Sequence, residues 1–264
     1  MADGAVLVES DGGGVTTVTL NRPEALNSLS LEVEETLQEL LPRLEADDGT
    51  RVVVITGAGR AFSGGGDVKE MRPGGAWDIS AAERQERLEA LHSVAVALHA
   101  LPKPVIAMVN GVAVGAGCNL ALACDLRLAS EKAKFGLVFR NVGLGDDMGG
   151  AWLLPRLVGM GKALELFFTG GIIDATEAHR IGMVNRVVPA ESLVEETYGL
   201  ARSLTAGPAK ALGLIKEELY GGITWSFQEL LDFEAQRQSA LMSEHDHQEG
   251  VAAFVEKRPP MFTD

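Results

Sequence analysis

Two glycine-rich turns set the strongest constraint on this chain. Residues 61–67, Ala-Phe-Ser-Gly-Gly-Gly-Asp, and residues 110–119, Asn-Gly-Val-Ala-Val-Gly-Ala-Gly-Cys-Asn, each follow a short β-branched, apolar run. Strand, glycine turn and helical stretch in repetition are the pattern of an α/β domain, in which strands join a sheet and helices cover it. Val15–Leu20 and residues 51–56 read as strands, and Pro102 and Pro104 bracket the entry to a third at Val105–Val109. Residues 30–44 place Leu31, Leu37, Leu40, Leu41 and Leu44 on a helical period, with Glu32, Glu34 and Glu35 near the positive end of that helix. Residues 117–123 form a small-residue helix and 125–129 return as a strand. From about residue 148 the pattern is mostly helical, over 163–168, 176–181, 192–204, 209–219 and 225–242. Residues 71–80, with Pro73, Gly74 and Gly75, are the most loop-like stretch and a candidate substrate lid.

Charge and composition exclude several classes. Asp and Glu number 37 against 23 Lys and Arg, a formal charge of -14, so the chain repels polyanions and nucleic acid is not an expected partner. No apolar run approaches the roughly 18 residues of a bilayer span, and the opening MADGAVLVES has no basic segment before an apolar one, so a cytoplasmic location is expected. Cys118 and Cys124, six apart in an apolar segment, fit neither a disulfide framework nor a metal pair and read as buried packing residues.

Other motifs are incomplete. The turn at 56–61 does not complete a dinucleotide fingerprint, Ser63 lacks the first glycine of a nucleophile elbow, and Gly161-Lys162 lacks the rest of a phosphate loop. His92 and His99 could share a helix face, and His245 and His247 flank Asp246, but none has metal-template spacing, so no metal is expected. The two glycine turns themselves admit two readings: tight turns only, or close main-chain approach to a ligand with two N–H groups aimed at one oxygen.

Several stretches in order resemble the crotonase family of enoyl-CoA hydratases and isomerases over essentially the whole length. They are residues 21–27 (Asn-Arg-Pro-Glu-Ala-Leu-Asn), 56–67, 102–107 (Pro-Lys-Pro-Val-Ile-Ala), 115–125, 154–159 (Leu-Pro-Arg-Leu-Val-Gly) and the ending from Glu249-Gly250 to Glu256-Lys257-Arg258. The resemblance implies an α/β fold, a spiral of ββα units over residues 1–200 that binds acyl-CoA, followed by a helical trimerisation region over 201–264. It implies homotrimers or hexamers and a thioester substrate that itself carries coenzyme A, with no separate cofactor. It further implies that Gly66 and Ala116 donate the oxyanion-hole N–H groups, and that Ala25, Leu26, Ala61, Gly64, Gly65, Asp67 and Val68 lie along the CoA path.

Departures from the family pattern matter more. Where its hydratases carry two glutamates, this chain has Asn119 and Phe139, which removes the usual acid/base pair for adding water. Asp147, in Asp147-Met148-Gly149-Gly150, matches an aspartate of the ring-expanding and double-bond-shifting isomerases of phenylacetate catabolism. A 1,3-proton shift needs only one carboxylate beside an oxyanion hole, and Asp147 fits that role. Asp146 is the alternative base, and either aspartate could instead cap the following helix. Phe139 reads as pocket wall or core, Asn119 as a substrate or a backbone contact, and Trp77 and Trp152 as further candidates for an apolar pocket. The expected activity is therefore acyl-CoA isomerisation. An enoyl-CoA hydratase with atypical water activation is the alternative, ahead of a thioester hydrolase or a noncatalytic RNA-binding relative.

Overall fold

The computed structural model describes residues 4–263. Strands β1 (Val6–Ser10) and β2 (Val15–Leu20) form an antiparallel pair, followed by helix α1 (Leu31–Ala46). A repeating unit then follows. Strand β3 (Val52–Gly57) enters one sheet, β4 (Ala61–Ser63) enters a second, and α2 (Ala81–Ala100) closes the unit. The next unit repeats it with β5 (Val105–Val109), β6 (Val112–Val114) and α3 (Ala116–Ala123). A third starts with β7 (Leu126–Ser130) and β8 (Lys134–Gly136). Helices α4 (Gly150–Val158) and α5 (Met160–Thr169), strand β9 (Ile172–Asp174), helix α6 (Ala175–Arg180) and strand β10 (Arg186–Val188) complete the two sheets. Their orders are β1-β2-β3-β5-β7-β10 and β4-β6-β8-β9, parallel except at β1 and β9. Helices α7 (Leu193–Thr205), α8 (Ala209–Gly221), α9 (Phe227–Leu241) and α10 (His245–Glu256) follow.

Both faces of the larger sheet are covered, which is why its central strands are continuously apolar. Val53, Ile55, Val105 and Ala107 face the main core with α1, α2 and α3, whereas Val52, Val54, Ile106 and Leu128 pack against Leu193 and Ala201 of α7. The period-2 alternation of each strand thus feeds two cores. Helix α3 is buried at every residue, as a helix without a polar face must be. Arg127, 4% exposed, donates to the carbonyls of Leu122, Cys124 and Met183 and satisfies the chain ends around α3.

The expected helices and strands are present with small shifts of their ends; β1, the short strands β4, β6, β8, β9 and β10, the full length of α2, α4 and α10 went unread. For α2 the signal was in the sequence. Ser80 and Glu83 form a reciprocal capping box, the S-x-x-E signature of a helix start. Residues 71–80 are tied in place: Trp77 N–H donates to Glu70 O (3.0 Å), Gly74 N–H to Asp78 Oδ2 (2.8 Å), and Arg87 of α2 to Ala76 O. Cys118 and Cys124 are buried and unbridged, their thiols pushed up to about 12 by burial. No described helix is long and apolar enough to cross a membrane.

Candidate active site

The two glycine turns meet because their strands are neighbours. β4 pairs parallel with β6, Ala61 opposite Val112, so both turns leave the same edge of the small sheet. Gly65 (φ +84°) abuts the other turn so closely that an added Cβ would lie 2.6 Å from Val114 O and 3.3 Å from Ala116 N. Gly115 adopts φ +53° and ψ −132° and starts α3, leaving Ala116 N–H at the positive end of that helix. Neither the Gly66 nor the Ala116 N–H donates to another described group. Two free main-chain donors on touching turns have the make-up of an oxyanion hole. Phe139 is buried beside it, Cε1 3.9 Å from where a Gly115 Cβ would stand.

The opposite side is a carboxylate loop held by α3. Asn119 lies three residues beyond Ala116, on the same helix face, and is fully buried. Its Nδ2 donates to Asp146 Oδ1 (2.7 Å) and to Asp147 O (2.8 Å). Both amide hydrogens are therefore engaged by the loop, one of them on backbone, while Asn119 Oδ1 is buried without a partner. Asp146 also accepts from Ala151 N–H at the start of α4 and so takes the capping role. Asp147 is left with a buried Oδ1 that has no hydrogen-bond partner. Burial, and then the Asp146 charge, push its carboxyl up to about 7. The next residue, Met148, is buried and held at φ +47°, an unfavourable backbone for a side-chain-bearing residue.

Two further acids were missed. Glu34, read only as a charge near the positive end of α1, is buried at 5% exposure. Glu70, four residues after Gly66, has a buried Oε2 without a partner. Leu29, just before α1, bridges Gly66 and donates to Gly65 O (2.8 Å), which brings the start of α1 against the first glycine turn. Helical period alone was the available signal: Glu34 follows Ser30 by four and precedes Leu37 and Leu41, all on the buried face.

The residues of the expected CoA path fall into two groups. Leu26 and Gly64 are held together by a hydrogen bond from Gly64 N–H to Leu26 O (2.8 Å), beside Ala25, and Val68 is exposed. Ala61 is 1% exposed and its carbonyl accepts from Asn27 Nδ2, while Asp67 is bound by Arg22 (3.4 Å) and Ser28 (3.2 Å). Ala61 and Asp67 therefore shape the turn rather than present free groups. Trp77 is half-buried in the 71–80 loop. Trp152 packs edge-on against His99 (5.3 Å) under the Arg156 guanidinium (3.9 Å) and lines a separate cavity of about 640 Å³ with Lys216, Tyr220 and Trp225. No group of three potential metal ligands occurs among the described residues.

The family model described as "Enoyl-CoA hydratase/isomerase" matches residues 10–264. The chain belongs to the enoyl-CoA hydratase/isomerase family. It is 42% identical over 254 residues to the 1,2-epoxyphenylacetyl-CoA isomerase of Escherichia coli (strain K12), covering 95% of each chain. A protein of Rhizobium meliloti (strain 1021) named "Probable enoyl-CoA hydratase" is 38% identical over 257 residues, 97% of each chain. Among solved structures, an enoyl-CoA hydratase from Bacillus anthracis superposes with TM-score 0.91 at 36% identity, covering 97% of this chain and 98% of that one. One from Mycobacterium smegmatis gives TM-score 0.91 at 36% identity over 98% of each chain. The ββα spiral is thus the crotonase fold, and this enoyl-CoA hydratase/isomerase family member is an enzyme.

Proposed function

We propose that the protein is an acyl-CoA isomerase that shifts a double bond, or rearranges an activated acyl group, with Asp147 as base. The observation that carries this reading is the unpartnered, buried Oδ1 of Asp147 on a loop tied by Asn119 to the helix that starts with Ala116. A thioester carbonyl accepting from Gly66 and Ala116 would carry the negative charge that develops when a neighbouring carbon loses its proton, worth about 3 kcal/mol per donor. Asp147, pushed up to about 7, is poised to take that proton and to release it again near neutral pH. Coenzyme A enters as part of the substrate, along Ala25, Leu26, Gly64 and Val68, and no separate cofactor is required. The isomerase of Escherichia coli at 42% identity supports the choice of reaction, as do an amide and a phenyl ring where water would be activated.

The test offers purified enzyme a 3-enoyl-CoA and, separately, a 2-enoyl-CoA. Conversion of the first to its 2-enoyl isomer without 3-hydroxyacyl-CoA, abolished in Asp147→Asn, is the expected result; isomerisation at wild-type rate in Asp147→Asn sinks the reading. Hydration is the second reading, favoured by the extra carboxyls Glu34 and Glu70 near the site, and abundant 3-hydroxyacyl-CoA from the 2-enoyl compound would establish it.

We also read the enzyme as a homotrimer or a dimer of trimers. Phe227 of α9 and Phe254 and Val255 of α10 are largely exposed in the single chain, an apolar surface that a neighbouring subunit would cover. Light scattering that returns a multiple of three times 27.9 kDa is the expected outcome, and a monomer would overturn it.

A further inference from the structure

We propose that Asp146 is a positioning residue of this site: by bridging Asn119 of α3 to Ala151 of α4, it fixes the turn that presents Asp147. The proposal rests on the isomerase reading above. Asp146 Oδ1 accepts from Asn119 Nδ2 (2.7 Å), and its Oδ2 accepts from Ala151 N–H in the first turn of α4. The same Asn119 amide donates its second hydrogen to Asp147 O (2.8 Å), which also accepts from Gly150 N–H (3.2 Å). One amide therefore holds two consecutive residues, Asp146 by its side chain and Asp147 by its carbonyl. Asn119 lies three residues past Ala116, a rise of about 4.5 Å along α3, so the clamp is anchored on the helix that begins at the hole.

The amide is itself locked. Asn119 is 0% exposed, and Gly150 packs on it so closely that an added Cβ would lie 2.3 Å from Oδ1 and 2.5 Å from Nδ2. Its two hydrogens thus point in fixed directions. The loop needs that hold, because Met148 is 1% exposed at φ +47°, a backbone that a residue with a side chain keeps only where its surroundings over-determine it. The clamp secures the loop before Met148, and α4 secures it after.

Capping alone does not account for Asp146. Capping takes one side-chain oxygen, and Asp146 commits its other oxygen to Asn119. It does so beside a second carboxyl, where a further charge is disfavoured. Burial raises the Asp146 carboxyl, while hydrogen bonds from Ala151, Asn119 and Asp147 and the charge of His92 on α2 oppose that rise. Asp147 is raised by burial and then by the Asp146 charge, and Glu34 of α1 also interacts with the Asp147 charge.

The experiment measures isomerisation of a 3-enoyl-CoA against pH for wild type, Asp146→Asn, Asp146→Ala, Asn119→Ala and the double variant Asp146→Ala/Asn119→Ala. Asp146→Ala should lower kcat by about tenfold or more with KM held within about twofold, since the base is misplaced and the binding surface is not. Asp146→Asn keeps one accepting oxygen and should fall between. The double variant should be no slower than the slower single variant, because both residues act through one clamp. The acid limb of kcat/KM should move to lower pH in Asp146→Asn, where the neighbouring charge that raises Asp147 is gone. A lower melting temperature with kcat and the acid limb unchanged in both Asp146 variants overturns the proposal, as do losses that multiply in the double variant. Asp147→Asn, run alongside, separates the two failures: isomerisation at wild-type rate there sinks the isomerase reading, whereas its inactivity beside an unaffected Asp146→Ala sinks only the role of Asp146. A crystal structure of Asp146→Ala, or of Asp146→Asn where the first does not fold, reads the clamp independently of turnover. Residues 146–149 should shift, with Met148 leaving positive φ, and an unmoved loop overturns the proposal.

Discussion

The oxyanion turns and the carboxylate loop meet at α3 but hold their groups by different physics. Gly66 and Ala116 offer main-chain N–H groups whose positions follow from strand pairing and from the start of a helix. Asp147 and Glu34 offer side chains that the fold must keep out of water at a cost in stability. The first side needs no side chain, whereas on the second Asp147 Oδ1 is left buried without a partner. Strain follows the same division: the positive φ angles of the turns fall on glycine, while that of the carboxylate loop includes the buried Met148.

The sharpest way to break the contrast is at the carboxylate loop. Asp147→Asn keeps shape but removes the proposed base, and kcat on a 3-enoyl-CoA should fall by about 10²–10⁴-fold with little change in KM. On the side of the turns, Gly65→Ala forces a Cβ to 2.6 Å from Val114 O at φ +84°. Displacing the hole in this way should lower kcat by about 10²-fold or more, and circular dichroism would separate that loss from unfolding. The link between the two sides is Asn119. Asn119→Ala should reduce turnover and lower stability by about 2–3 kcal/mol, as two buried hydrogen bonds are lost; a urea melt indistinguishable from wild type would show that the loop holds itself.

Stability against pH sharpens the comparison further. Asp147 and Glu34, raised to about 7, keep protons in the folded state that the unfolded chain has released above about pH 4. The folded state therefore binds more protons between about pH 4 and 7, and stability contributed at these sites falls as pH rises through that window. Glu34→Gln and Asp147→Asn should each be more stable than wild type at pH 8, on the order of 2 kcal/mol, and lose that advantage by about pH 4. Parallel melts at the two pH values check the sign. The smallest effect belongs to the Arg22–Asp67 pair, partly exposed at 3.4 Å. Asp67→Asn should change stability by under about 1 kcal/mol, and a larger loss would mean that the pair fixes the first turn.

What local chemistry dictates was legible in the chain. The glycine turns, the apolar strands between them and the break from strands to helices near residue 148 needed only period and propensity, and they recur in the structure as two sheets and a helical end. Asp147 entered as a candidate base through the family resemblance, and the structure adds that its Oδ1 is buried without a partner. Asn119 was placed correctly but its role was open, because the direction of an amide depends on a loop almost 30 residues away. Glu34 was hidden for a stronger reason. A glutamate in the first turn of a helix is ordinarily a solvated charge that favours the positive helix end, and whether that face meets water or the interior depends on how the helix docks. The sequence by itself determined the longer strands, the two glycine turns and the pair of aspartates offered as candidates. Only tertiary structure decided which aspartate is engaged, which is free and which glutamate is buried beside them, because burial and charge coupling arise between segments distant along the chain.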